Sequence, residues 1–325
     1  MNKNIIKKWI YIASVFALCL TVVTTGCSQQ RMNLEDNVTY FGYQLVSESL
    51  YTAKNRFYFI NRNGEVVKEE DLTTPGDITY FNYYPEEEKV LMYAVGGLVV
   101  LNTSDMTMKH VEKDYLVTSA IAYQGKIYAI LNIPTKRLGN AKFKVICYEE
   151  NNKTELLTLD GSGLDISVDE ANIYINVCDN NTDITTIYKF SLDKNQLTPI
   201  YNQHGIFSKI GKQVYLVTKN EYINLKTLET KSLKIQKTGD YYLNEIDGNL
   251  VNVNFDPYEE SCKYVYGERT ETFEKCAGFN MYSKEDGLFQ IDGDFYEVNL
   301  RKFTKTKTKI NNENLYGTST VKIKP

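Results

Sequence analysis

The stretch Ala122-Tyr123-Gln124-Gly125-Lys126-Ile127-Tyr128-Ala129-Ile130 reads as the end of one strand, a tight turn, and a second strand that alternates apolar and polar residues. The same turn-then-strand pattern recurs as Asn55-Arg56-Phe57-Tyr58, Glu88-Lys89-Val90-Leu91, Ala171-Asn172-Ile173-Tyr174, Lys212-Gln213-Val214-Tyr215, Gly248-Asn249-Leu250-Val251 and Asp286-Gly287-Leu288-Phe289. Anchored on Phe57, Val90, Ile127, Ile173, Val214, Leu250 and Leu288, the copies are spaced by about 33, 37, 46, 41, 36 and 38 residues, the range for one four-stranded propeller blade per repeat. Outside the N-terminal leader, no segment sustains a helical period over three turns. The expected fold is all-β, a single β-propeller of seven blades, each of four antiparallel strands. Six or eight blades are the alternatives, because the first and last repeats are the least regular. Strand-like segments stand at both ends, Val38-Thr39-Tyr40-Phe41 and Val321-Lys322-Ile323-Lys324. Pairing one end with the blade at the other removes an exposed edge, so closure of the ring by these segments is expected.

The leader has its own logic. Met1-Asn2-Lys3-Asn4-Ile5-Ile6-Lys7-Lys8 is basic, Trp9 to Val23 is apolar, and Thr24-Thr25-Gly26-Cys27 follows. A positive flank, a short hydrophobic core and a small residue before the cut mark an export signal, and the apolar run is shorter than a membrane span requires. On Gly26 and Cys27 the leader resembles bacterial lipoprotein precursors, whose lipobox ends in Gly-Cys or Ala-Cys. The resemblance covers only about the first 27 residues, and departs in having Thr24 where that family usually has Leu. It implies diacylglyceryl attachment to the Cys27 sulfur and cleavage between Gly26 and Cys27, with two acyl chains holding the mature protein at the outer face of a bacterial cell membrane. The alternatives are an ordinary signal peptide with an incidental cysteine, and a non-cleaved anchor. The chain then divides into a lipoprotein signal peptide (1–26), a lipidated cysteine with a short polar tether (27–37), and the propeller (38–325).

Removal of Lys3, Lys7 and Lys8 leaves 34 basic residues against 41 acidic, a net charge of −7. Nucleic acid is excluded as the main partner, because phosphate binding needs a concentrated basic face. The 26 tyrosines and single Trp9 fit half-buried strands whose rings pack inward while their hydroxyls reach water.

Candidate constellations are few. Cys262 and Cys276 flank Val265-Tyr266-Gly267-Glu268-Arg269-Thr270, and export favours oxidation, so they form either a disulfide across a hairpin or two separate buried thiols. Cys147 and Cys178, in adjacent blades, are a second candidate pair. Without Cys-x-x-Cys, no zinc knuckle or thioredoxin-type site is suggested. Asp179-Asn180-Asn181-Thr182-Asp183 looks like a calcium loop until Ile184 and Phe190 fall where glycine and a bidentate glutamate belong. His110 and His204 sit in different blades, and Gly161-Ser162-Gly163 lacks the spacing of a nucleophile elbow. Lys305, Lys307 and Lys309 share one strand face, to be read as a solvated edge or an anionic-lipid contact. Of the pairs Tyr83-Tyr84 and Tyr241-Tyr242, one member of each is expected in the core, since neighbours on a strand point to opposite faces. No metal or cofactor is indicated. The resulting expectation is a lipid-anchored extracytoplasmic module that binds or scaffolds an envelope protein or glycan, more in keeping with binding than with catalysis. The alternative is an extracytoplasmic enzyme acting on a cell-envelope glycan, with its site at the central channel.

Overall fold

The computed structural model describes residues 38–49, 52–134, 141–150 and 152–324. Gly26 and Cys27 lie outside the described residues. Among those described, 28 strands form seven four-stranded antiparallel sheets arranged as a ring, a seven-bladed β-propeller. Blade 1 comprises β1 (Val38–Glu48), β2 (Ala53–Asn61) and β3 (Val66–Thr74); blade 2, β4 (Tyr80–Tyr84), β5 (Lys89–Ala94), β6 (Gly97–Asn102) and β7 (Thr107–Glu112). Blade 3 has β8 (Leu116–Tyr123), β9 (Lys126–Ile133), β10 (Lys142–Glu149) and β11 (Asn152–Asp160); blade 4, β12 (Ser162–Val168), β13 (Asn172–Asp179), β14 (Ile184–Ser191) and β15 (Gln196–Tyr201). Blade 5 is the most compact, with β16 (Ile206–Ile210), β17 (Gln213–Val217), β18 (Glu221–Asn224) and β19 (Thr230–Ser232). Blade 6 has β20 (Tyr241–Ile246), β21 (Asn249–Asp256), β22 (Ser261–Tyr266) and β23 (Arg269–Glu274); blade 7, β24 (Cys276–Met281), β25 (Asp286–Ile291), β26 (Asp294–Asn299) and β27 (Thr304–Lys307). The last strand, β28 (Thr320–Lys322), returns to become the innermost strand of blade 1, pairing Lys322 with Tyr40, Val321 with Phe41 and Thr320 with Gly42.

Closure shifts the repeat by one strand. In blades 2 to 7 the anchors Val90, Ile127, Ile173, Val214, Leu250 and Leu288 all fall on the second strand of the blade, but Phe57 falls on β2, the third. The step from Phe57 to Val90 is therefore not a blade period, because the first strand of blade 1 is supplied by the far end of the chain.

Turn chemistry follows the residues. Gln124 and Gly125 both take positive φ (51° and 75°), as do Asp247 and Gly248, so each closes a two-residue hairpin matched to strand twist. At Asn63-Gly64 only Gly64 turns left-handed (φ 82°), while the Asn61 side chain accepts from the backbone N–H of Asn63 and Glu65. A Cβ on Gly64 would lie 1.8 Å from the Lys309 carbonyl oxygen, so the turn seats directly against the chain that closes the ring. Pro199 sits on β15, an outermost strand with a free edge, as a residue without an N–H requires.

The expected apolar–polar alternation gives way to burial of both strand faces. Val90 and Met92 of β5 pack toward blade 1, whereas Leu91 and Tyr93 pack toward blade 3. On β9, Ile127, Ala129 and Leu131 face blade 2 while Tyr128 and Ile130 face blade 4. A hydrophobic cluster fills every junction between neighbouring blades, the smallest being Val217, Tyr222 and Leu243 between blades 5 and 6. A strand in the middle of a blade thus has no solvent face, in the manner of strands covered on both sides.

Cys262 and Cys276 are joined by a disulfide, with Cα atoms 5.5 Å apart. It does not cross a hairpin. Cys262 lies on β22 and pairs across its ladder with Phe255 and Phe273, while Cys276 begins β24 in the next blade, so the bond ties blade 6 to blade 7 past the intervening β23.

A buried ionic contact fastens blades 2 and 3. Glu112 at the end of β7 is 2% exposed, accepts from the Lys113 and Asp114 N–H groups, and receives Tyr148 Oη at 2.7 Å and Lys153 Nζ at 2.5 Å. Burial pushes its pKa up, but these donors outweigh burial and hold it below the usual glutamate value. A depressed folded pKa adds stability that is present above the unfolded value of about 4.3 and lost as pH falls below it. Glu112→Gln is expected to cost about 1–2 kcal/mol at pH 7, the scale of hydrogen bonds to a charged group. In urea titrations that gap should close as pH falls below 4; a gap independent of pH would refute the ionised contact.

Candidate functional site

The inner strands β28, β4, β8, β12, β16, β20 and β24 surround the central channel. Their polar side chains reach sideways into neighbouring blades. Tyr83 Oη donates to the Ile323 carbonyl across blades 2 and 1, and Tyr84 Oη to the Ala120 carbonyl across blades 2 and 3. Thr118 Oγ1 bonds the Gly163 carbonyl, Ser208 Oγ the Leu243 carbonyl, and Tyr242 Oη the Lys284 carbonyl. Asn280 Nδ2 closes the ring by donating to the Gly317 and Thr320 carbonyls. Every junction between blades therefore has at least one side-chain hydrogen bond beside the channel, the remaining one being made by Asp165.

Asp165 on β12 joins three blades. Its Oδ1 accepts from Ser119 Oγ of blade 3 at 2.8 Å and from the Ile166 N–H, and its Oδ2 accepts the Phe207 N–H of blade 5 at 2.8 Å. The residue as a whole is partly exposed, yet its carboxyl is enclosed, and burial raises its pKa against the pull of these donors and of Lys237. A carboxylate already holding three donors is a fastening, not a free base.

Two further charged groups stand near the channel ends. Burial raises the pKa of Asp240, with Lys237 opposing. Lys209 places its ammonium 3.6 Å from the centre of the Tyr123 ring, and burial lowers its pKa against the opposing field of Glu86, Asp169, Glu87 and Glu170.

The two faces of the ring differ. One, the turn face, carries the connections between first and second and between third and fourth strands; the other, the loop face, carries the remaining connections, including those between blades. Most of the exposed large apolar side chains are on the loop face. Leu45 and Val46 near the end of β1, Tyr316 before β28, Tyr80 and Val95 in blade 2, and Leu116 at the start of β8 form an arc over blades 1 to 3. Ile184 and Tyr258, the latter 91% exposed, add to it in blades 4 and 6. Among the described residues, only Val66, Val67 and Leu228 of the exposed large apolar side chains lie toward the turn face. Tyr80 is held by stacking on Tyr93, with ring centroids 5.4 Å apart, so it is a supported anchor.

The residues singled out in the sequence are dispersed. His110 Nε2 pairs with the Gly96 carbonyl at 2.8 Å and burial lowers its pKa, while His204 is exposed between blades 4 and 5. Ser162 Oγ bonds Asn180 Oδ1, and Asp179 to Asp183 form a polar turn in which Asp183 has φ 60°. Cys147 and Cys178 are unpaired thiols, the first buried and raised in pKa by that burial. Lys307 pairs with Asp294, and Lys305 sits over the Tyr296 and Phe273 rings on the outermost strand of blade 7. Both members of Tyr83-Tyr84 are part-buried at blade junctions, as are Tyr241 and Tyr242, the last raised by burial to about 12. Instead of one core ring in each pair, both rings are part-packed, because both blade faces are covered. Asp165 escaped sequence reasoning; the available signal was a lone carboxylate in the inner-strand stretch Leu164–Val168, whose other residues are apolar except Ser167. Among the described residues, no three His, Cys, Asp or Glu side chains gather as a metal would need.

No protein-family model and no curated protein matches the chain. Among solved structures it is similar to a chain of a nidogen–laminin complex, at 12% identity over 73% of this chain and 93% of that one, with a TM-score of 0.45. It is also similar to TolB from Acinetobacter baumannii, at 10% identity over 83% of this chain and 63% of that one (TM-score 0.42). An oligogalacturonate lyase from Vibrio parahaemolyticus is similar at 11% identity over 84% and 85% of the two chains (TM-score 0.45). The fold rests on the strand pairing above and owes nothing to these likenesses.

Proposed function

We propose that the chain is a lipid-anchored extracytoplasmic propeller that binds an envelope protein through its loop face. The observation that carries this is the one-sided display of apolar side chains, Leu45, Val46, Tyr80, Val95, Leu116 and Tyr316, over three consecutive blades. Exposed apolar residues gathered on one face mark partner surfaces, and aromatic anchors supply most of the binding energy in such interfaces. The polar inner-strand groups detailed above are engaged in holding blades together, which leaves the loop face as the better-supported site.

The test is capture from the native envelope with residues 28–325 as bait, alongside a Tyr80→Ser/Leu116→Ser/Tyr316→Ser variant and a turn-face control, Leu228→Ser. Loss of two or three anchors worth about 2 kcal/mol each should weaken a genuine partner by 100-fold or more, while the control keeps it. An envelope protein retained equally by the triple variant would sink the loop-face reading. A glycan in place of a protein, lost with the same variant, would keep the face and overturn the partner class.

A further inference from the structure

We infer that the turn face looks toward the bilayer and the loop face away from it, so that the apolar arc meets a protein approaching from the side remote from the membrane; this rests on the lipid-anchored reading above. The reason is where the chain enters the propeller. Val38 opens β1, and β1 runs from the turn face to the loop face, so the chain arrives at the turn face.

Ten residues, 28–37, separate Cys27 from Val38. Fully extended, the eleven steps between those two residues reach at most about 40 Å. The strand β1 is itself 11 residues long, about 36 Å at the rise of an extended chain. To present the loop face to the bilayer, the tether would have to run back alongside β1. That path crosses the ring, about 20–25 Å, and passes outside β2 and β3, about 10 Å further at the usual strand spacing, so it uses most of the tether's reach before any of it arrives at the lipid. The turn face, by contrast, needs no detour.

Around Lys209 the turn face carries Glu86, Glu87, Asp169 and Glu170, the last paired with Lys212, so acidic and basic groups are mixed there and give an anionic leaflet no dominant patch to hold. Orientation is therefore set by the tether, and the arc over blades 1 to 3 faces away from the bilayer.

The experiment uses the full-length lipidated protein on phosphatidylcholine vesicles containing phosphatidylglycerol and a headgroup acceptor dye. In a Cys178→Ser background, a donor is attached at Tyr258→Cys or at Glu268→Cys, highly exposed positions on the loop and turn ends of the same blade. Energy transfer from position 268 is expected to be about twofold or more above that from 258, given strands of about 20–25 Å between the two faces. Equal or reversed transfer from vesicle-bound protein would overturn the orientation and leave the anchor standing. Protein remaining in the soluble fraction would remove the anchor, and the orientation with it.

Discussion

Asp165→Ala is expected to lower the unfolding free energy by about 3–5 kcal/mol, because it strands the Phe207 and Ile166 N–H groups and the Ser119 hydroxyl beside the channel. Against a total of about 5–15 kcal/mol this is a large fraction. The mechanism also ranks the conservative variant. An asparagine keeps one accepting oxygen for Ser119 and Ile166 but sets an N–H group against the Phe207 N–H, so Asp165→Asn should cost less than alanine and more than nothing. Urea titration at constant m checks both. Equal stability of wild type and Asp165→Ala would mean that the three-blade fastening contributes nothing.

The second large effect concerns the ring as a circle. Replacing both Cys262 and Cys276 by alanine removes a cross-link between positions 14 residues apart, and a loop of that size is worth about 3 kcal/mol in the chain-entropy account. Both positions are fully buried in the cluster shared by blades 6 and 7, which alanine fills less well, so about 3–5 kcal/mol is expected for the double variant. Wild type treated with reductant isolates the cross-link, since it keeps the sulfur atoms in place, and should lose about 2–4 kcal/mol. A wild type whose urea midpoint is insensitive to reductant would show that the bond is absent or without effect.

Both predictions concern contacts between blades, and that is where sequence reasoning and structure part. The hairpin at Gln124-Gly125 was readable because positive φ is a local demand that few residues meet. Pro199 on a free edge obeys a similarly local rule, set by its missing N–H. The pair Cys262 and Cys276 was readable as a candidate only. Its partner relation depends on β22 of one blade lying against β24 of the next, which the spacing of two cysteines does not express. Asp165 was silent, since its three donors come from residues 46 and 42 positions away and from its own neighbour. That both rings of each tyrosine pair are packed was likewise not written in the local sequence. In a propeller the second face is covered by another copy of the same repeat.

From the sequence alone came the elements and their number: strands, tight turns, a period near that of one blade, and two end segments able to pair. These follow from short-range chemistry, namely side-chain alternation, turn residues and the absence of a helical period, each decided within a few positions along the chain. Only the tertiary structure decided which strand faces are dry, which cysteines meet, which carboxylate joins three blades, and that the exposed apolar residues gather on the loop face. Each of these depends on how neighbouring blades are rotated and packed about a common axis. That packing brings together residues tens to hundreds of positions apart, such as Tyr40 and Glu297, and nothing local in the chain encodes their meeting.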